Sequence, residues 1–158
     1  GIGQGYLQVT PLQLAVATSI LANRGLIFKP HLLAATQQMN EEIQYESSIP
    51  RSSLILKDFH YWNQVIEAMS RVVNEGTGFR FGKMEYSVAA KTGTTQVINT
   101  RSYQYNTDQI PENFRDNSVF IAFAPVEAPE IAIAVVIENN NEAPLIARKV
   151  LDFYFKNK

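Results

Sequence analysis

Lys91-Thr92-Gly93-Thr94 is the run in this chain whose residue types, taken together, name a chemistry. A cationic lysine at the end of a strand can hold a carboxylate-bearing substrate and stabilise negative charge that develops nearby, an effect worth most where water is excluded. Gly93 has no Cβ, so a ligand can approach the backbone closely. The threonines offer short hydroxyls, and the main-chain N–H of Thr94 can point at an acyl oxyanion. Together they make an anion-accepting edge. The same pattern has a plainer use, because a lysine flanked by threonines also blunts a sheet edge against aggregation. What surrounds the tetrad decides between the two.

The tetrad lies in a strand-like run from Ser87 to Val97, with the small residues Ala89 and Ala90 leading in and Thr95-Gln96-Val97 leading out. Upstream, Thr10-Pro11 supplies a helix cap and a proline suited to the first helical position, and Gly25 supplies a stop. Leu12, Leu14, Ala15, Val16, Ala17, Ile20, Leu21 and Ala22 fall on every side of that helix, the pattern of one buried all round. Leu26 to Ala34 and Ile43 to Tyr45 read as short extended pieces of a peripheral hairpin that turns near Met39-Asn40-Glu41. A second helix runs from Asp58 as cap to Gly76 as stop, with Trp62, Val65, Ile66, Met69, Val72 and Val73 as its core stripe. A loop from Glu75 to Lys83 delivers the chain to the tetrad.

Downstream, Ile98 to Asn117 is a polar, tyrosine-bearing connection. Its length exceeds the usual limit of about 12 to 15 residues for structureless loops, so it is read as either functional, shaping access to a site, or simply mobile. The strands Ser118 to Ala124 and Glu130 to Glu138 are joined too tightly for a crossover and should pair antiparallel. A closing helix from Pro144 to Phe155 is expected to cover the sheet through Ala147, Val150, Leu151 and Tyr154, with Lys156 and Lys158 near its C-terminal dipole.

The 158 residues carry a formal net charge of -1, which gives no electrostatic reason to expect nucleic acid or an anionic membrane as partner. Absence of cysteine excludes disulfides and thiolate chemistry but leaves the redox compartment open. His31 and His60 are far apart and lack metal-ligand spacing, so no metal and no cofactor is expected. Gly1, Gly3 and Gly5 do not meet the spacing of a phosphate loop. No stretch approaches the ~20 apolar residues that cross a bilayer.

Lys91 to Thr94 is the third of three signatures of serine acyl-transfer enzymes; the other two, Ser-x-x-Lys and Ser-x-Asn, occur nowhere in the chain. Gly1 to Ala15 resembles the stretch that follows Ser-x-Asn in class B penicillin-binding proteins, and Ala90 to Val97 resembles their third motif. Phe120 to Val126 and Ile131 to Asn139 are similar to their last two strands, and Ala147 to Asp152 to their closing helix. The resemblance covers nearly the whole chain and is greatest for the elongation-type branch. Asn139-Asn140-Asn141-Glu142-Ala143-Pro144 departs from the glycine-rich turn of many members.

The resemblance implies an α+β fold: the C-terminal part of a penicillin-binding/β-lactamase-like transpeptidase domain, an antiparallel sheet with helices on both faces. Residues 1–86 would form the helical and hairpin portion, and 87–158 the motif strand, two further strands and closing helix. It implies a peptidoglycan D,D-transpeptidase working through an acyl-serine, with Lys91 and Thr94 catalytic and Thr92, Gly93 and Thr95 binding substrate. Implied partners are stem peptides, β-lactams, the rest of the domain and elongation-complex membrane proteins, at the periplasmic face of the inner membrane.

With the nucleophile missing, the chain by itself should be soluble and inactive, cut from a longer protein after the second motif. Its last strand should have an open edge through which the chain self-associates, unless the remaining part of the domain covers it. A serine β-lactamase or D,D-carboxypeptidase also uses the tetrad, and a non-catalytic docking piece is the alternative outside enzymology.

Overall fold

The computed structural model describes residues 7–46, 49–74, 84–97 and 111–158. Helix α1 (Pro11–Ala22) starts where Thr10 and Gln13 cap it reciprocally: each side chain accepts the other's backbone N–H, at 2.8 and 3.2 Å. The turn that follows it closes on Gly25, whose φ of 102° lies in the left-handed region. A Cβ there would stand 2.5 Å from the Leu54 carbonyl oxygen, so the stop needs glycine for space as well as for conformation.

The segment between the two long helices is a nested pair of hairpins. Strand β1 (Leu26–Ile27) pairs antiparallel with β4 (Ser52–Ser53), and inside them β2 (Ala35–Thr36) pairs with β3 (Gln44–Tyr45). Asn40, with φ 66°, sits in the inner turn, as the Met39-Asn40-Glu41 signal predicts. Helix α2 (His60–Asn74) opens on Asp58, whose Oδ1 accepts the His60 N–H at 2.8 Å. Its buried face is Trp62, Ile66, Met69 and Val73. Val65, expected in that stripe, is exposed, because the helix meets the sheet along a single narrow line. Gly76, the loop to Lys83 and most of the Ile98 to Asn117 connection lie outside the described residues.

Strands β5 (Ala89–Thr95), β6 (Asn117–Ala124) and β7 (Ile131–Ile137) form an antiparallel sheet in the order β5-β6-β7. The β6–β7 pairing is the one that the short Pro125 to Pro129 link requires. Asn117, placed in the preceding loop by its polarity, belongs to β6 and faces Thr95 across the ladder. A one-turn 3-10 helix at Glu112–Phe114 precedes it.

Helix α3 (Ala143–Lys156) packs on one face of the sheet, and α1 and α2 pack on the other. Alternation along the strands makes two cores. Ala90, Phe120, Ala122 and Ala124 meet Ala143, Ala147 and Leu151 of α3. Ala89 and Phe123 meet Ala22 of α1 and Ile66 and Met69 of α2. Full burial of a leucine such as Leu151 contributes about 1.5–3 kcal/mol relative to exposure.

Two burial expectations are corrected. Val150 and Tyr154 are 44% and 36% exposed, because the covering stripe of α3 runs through Ala143, Ala147 and Leu151, and residues one position before or three after turn toward solvent. Phe155 instead packs back on the core, against Tyr86 at a ring separation of 4.3 Å. Helix α1 is also not enclosed: Thr18 and Ala22 are buried, while Leu12 at its start is 62% exposed. The sheet covers one of its sides and leaves Leu12 and Ala17 exposed, with Leu14, Ala15, Val16, Ile20 and Leu21 half-buried.

Candidate active site

Among the described residues the motif strand β5 is an edge strand, and its exposure changes abruptly along its length. Ala89 and Ala90 are fully buried and anchor it in both cores; from Lys91 to Thr95 every residue but the half-buried Thr92 is exposed. The buried pair holds the strand and the following residues present their side chains, which is how a rigid element positions a site.

The pleat divides the five site residues between two faces. Lys91, Gly93 and Thr95 share the face of Ala89, on the side of α1 and α2; Thr92 and Thr94 share the face of Ala90, on the side of α3. The strand thus brings all five to one edge without bringing all five side chains to one surface. Lys91 Nζ donates to the Thr92 carbonyl at 2.6 Å. None of the ion pairs among the described residues involves it. Its ammonium is therefore an exposed cation at the sheet border.

Gly93 is not demanded by the strand. Its backbone is outside the left-handed region, and an added Cβ would lie 3.4 Å from Val119 Cβ, an ordinary contact. The lysine's face of the strand therefore carries no side chain at position 93. His31 and His60 are both exposed, and no cluster able to hold a metal occurs among the described residues.

A model of the penicillin binding protein transpeptidase domain matches residues 1–152. The chain belongs to the penicillin-binding protein transpeptidase family. It is 37% identical over 163 residues to the peptidoglycan D,D-transpeptidase MrdA of Salmonella typhimurium strain SL1344, covering 98% of this chain and 26% of that protein. To MrdA of Haemophilus influenzae it is 38% identical, over 100% of this chain and 25% of the relative. The chain thus spans about a quarter of the length of these relatives. It superposes on the crystal structure of Pseudomonas aeruginosa PBP2 in complex with WCK 5153 with a TM-score of 0.72 at 34% identity, covering 97% of this chain and 32% of that one. The relatives named MrdA and PBP2 agree with the branch that the sequence resembles, and the α+β fold expected of it is the fold observed.

Three polar arrangements around this transpeptidase-family sheet escaped the sequence. Ser87 Oγ accepts the Val126 N–H at 2.8 Å and donates to Glu127, which pulls the Glu127 carboxyl below its ordinary range and pins the β6–β7 turn to the start of the motif strand. Asn117 and Ser118 grip the segment between β7 and α3, at 2.9 and 3.1 Å. On the α3 face, Tyr86 Oη donates to Asp152 at 2.9 Å and Arg148 Nε donates to the same carboxylate at 2.7 Å.

These last groups, with Met84, Glu85, Phe155 and Lys156, line an open cavity of about 350 Å³. It lies across the sheet from the face that carries Lys91. Burial, then the Asp152 hydrogen bond, raises the Tyr86 phenol, so it stays protonated. Desolvation works to raise Asp152, but hydrogen bonds from Arg148 and Tyr86 and the Arg148 charge outweigh it and hold the carboxyl below its ordinary value.

A depressed carboxyl stabilises the fold above its unfolded pKa of about 3.9, and that contribution disappears as pH falls through the folded value. Asp152→Asn is accordingly expected to lower the melting temperature at pH 7 and to flatten its decline below about pH 4. Thermal denaturation across that range reads both effects.

Proposed function

We propose that this chain forms the Lys-Thr-Gly-Thr wall of a peptidoglycan D,D-transpeptidase, opposite a serine carried by another part of the full-length protein. The observation that carries the reading is the exposed, ion-pair-free ammonium of Lys91 on a rigid edge strand in a chain of this family. The names borne by the MrdA relatives favour a transpeptidase over a β-lactamase or carboxypeptidase.

In this reading the serine Oγ attacks the penultimate D-alanine carbonyl of a stem peptide, and the Thr94 N–H stabilises the oxyanion together with the serine's own N–H. The tetrahedral adduct collapses, the peptide nitrogen takes a proton and leaves as D-alanine, and an amine from a second stem peptide resolves the acyl-serine. Lys91 supports the Ser-x-Asn hydroxyl and faces the substrate's terminal carboxylate. The Thr92 and Thr94 hydroxyls, on the other pleat face from Lys91, contact that carboxylate at the strand's edge, and Gly93 and Thr95 complete the substrate-binding strand. β-Lactams acylate the same serine because they imitate the D-alanyl-D-alanine end. No cofactor takes part.

Residues 1–86 serve as the helical and hairpin support and 87–158 as the wall itself. The full-length protein works at the periplasmic face of the bacterial inner membrane with the membrane proteins of the elongation complex, as the resemblance of the sequence to the elongation-type branch implies; no helix among the described residues is long and apolar enough to cross a membrane. Fluorescent penicillin tests the proposal: it labels the full-length protein covalently and leaves the 158-residue chain unlabelled. Labelling of the short chain would refute it.

β7 is apolar at every position from Ile131 to Ile137 and has one sheet neighbour, β6, among the described residues. An unpaired apolar edge templates association. The 158-residue chain alone is therefore expected to self-associate, and the rest of the domain to suppress it. Light scattering decides, with a monodisperse monomer as the contrary result.

A further inference from the structure

We infer that Asn117 and Ser118 are positioning residues for Thr95 and Thr94. The inference rests on the reading of those threonines as part of the strand that binds the substrate's terminal carboxylate. β5 has β6 as its one sheet neighbour among the described residues, so the exposed end of the motif is placed by what lies opposite: Ser118 across from Thr94, and Asn117 across from Thr95.

Both residues are themselves fixed from the other direction. Ser118 Oγ accepts the Ala143 N–H at 3.1 Å. Ala143 begins α3, whose own cap residue, Glu142, gives no side-chain cap. A helix start leaves its first N–H groups without intrahelical partners, and Ser118 does from a neighbouring strand what a capping serine does locally. Asn117 Oδ1 accepts the Asn139 N–H at 2.9 Å, where φ of 57° turns the chain away from β7.

The last backbone rung of the β6–β7 ladder is Ser118 with Ile137, so the Asn117 side chain extends that ladder past its end. One bracket thus joins the end of the motif strand, the turn after β7 and the start of α3. Polar side chains at two successive positions are needed because alternate residues of a strand face opposite sides.

The experiment compares acylation rate constants of the full-length protein for a penicillin with a free carboxylate and for its methyl ester. Asn117→Ala and Ser118→Ala are expected to slow the free acid about tenfold, within the loss of up to about 100-fold that a misplacement near 1 Å causes, and to slow the ester less, because both substrates use the Thr94 N–H but only the acid uses the threonine contacts to its carboxylate. Ser118→Thr, which keeps the oxygen, restores the wild-type ratio. Melting temperatures show that the variants fold, and Ser118→Ala carries the test where Asn117→Ala does not. Equal slowing of acid and ester in a folded variant, or an unmoved ratio, overturns the positioning role. A wild-type protein that does not distinguish acid from ester instead overturns the carboxylate reading beneath it.

Discussion

Lys91→Ala in the full-length protein is expected to cut acylation by penicillin about 100- to 1,000-fold while its melting temperature stays close to wild type. The size follows from what one preorganised electrostatic contact is worth in a water-excluded cleft. The neutrality toward stability follows from the surroundings of the side chain. Lys91 is exposed on an edge strand, and its Nζ meets the carbonyl of the adjacent Thr92. Truncation opens no cavity and strands no buried partner, so the stability change should stay within about 0.5 kcal/mol.

Lys91→Arg refines the test. Guanidinium keeps the charge but presents a planar fork where the ammonium is a compact point. Partial recovery with arginine assigns the effect to charge, and no recovery assigns it to geometry. A melting temperature that falls in step with acylation would make Lys91 a structural residue, and an unchanged rate would remove it from the site.

What made the tetrad readable was local chemistry. Lys91, Gly93 and the threonines are unusual neighbours on a strand, and Ala89-Ala90 before them marks where the strand dives between two cores. The helices were readable for the same reason: Thr10-Pro11, Asp58 and the Trp62-Ile66-Met69-Val73 spacing act within one or two turns, and their caps are found in place. The strands β6 and β7 followed from apolar runs separated by a link too short for anything but antiparallel pairing.

What escaped acts across distance. Asn117 and Ser118 look like loop polarity until the Asn139 and Ala143 amides, 22 and 25 positions away, are brought beside them. Tyr86 and Asp152 are 66 positions apart, and nothing in either neighbourhood announces the other. The periodicity of α3 admitted two adjoining stripes, and only the sheet's position selects the one through Ala147 and Leu151 over Val150 and Tyr154. In α1 the all-round hydrophobicity was visible, but which side meets the sheet was not, because no polar face breaks the symmetry.

Thr94→Pro isolates the proposed oxyanion donor, because proline deletes one main-chain N–H. Gly93 before it fits the extended conformation that proline requires, and the melting temperature reports whether the strand keeps its pairing. Penicillin acylation of the full-length protein should fall about 100- to 1,000-fold, the usual consequence of losing one oxyanion-hole donor. Thr94→Val, which keeps the N–H and the branched shape but removes the hydroxyl, separates carboxylate binding from oxyanion stabilisation: its penalty should be smaller and should vanish for an esterified penicillin. Should the Thr94 N–H lie inside the β5–β6 ladder instead, proline would break the pairing opposite Ser118, and melting temperature and acylation would fall together. That coupled loss would remove Thr94 as an oxyanion donor while leaving Lys91 in its role.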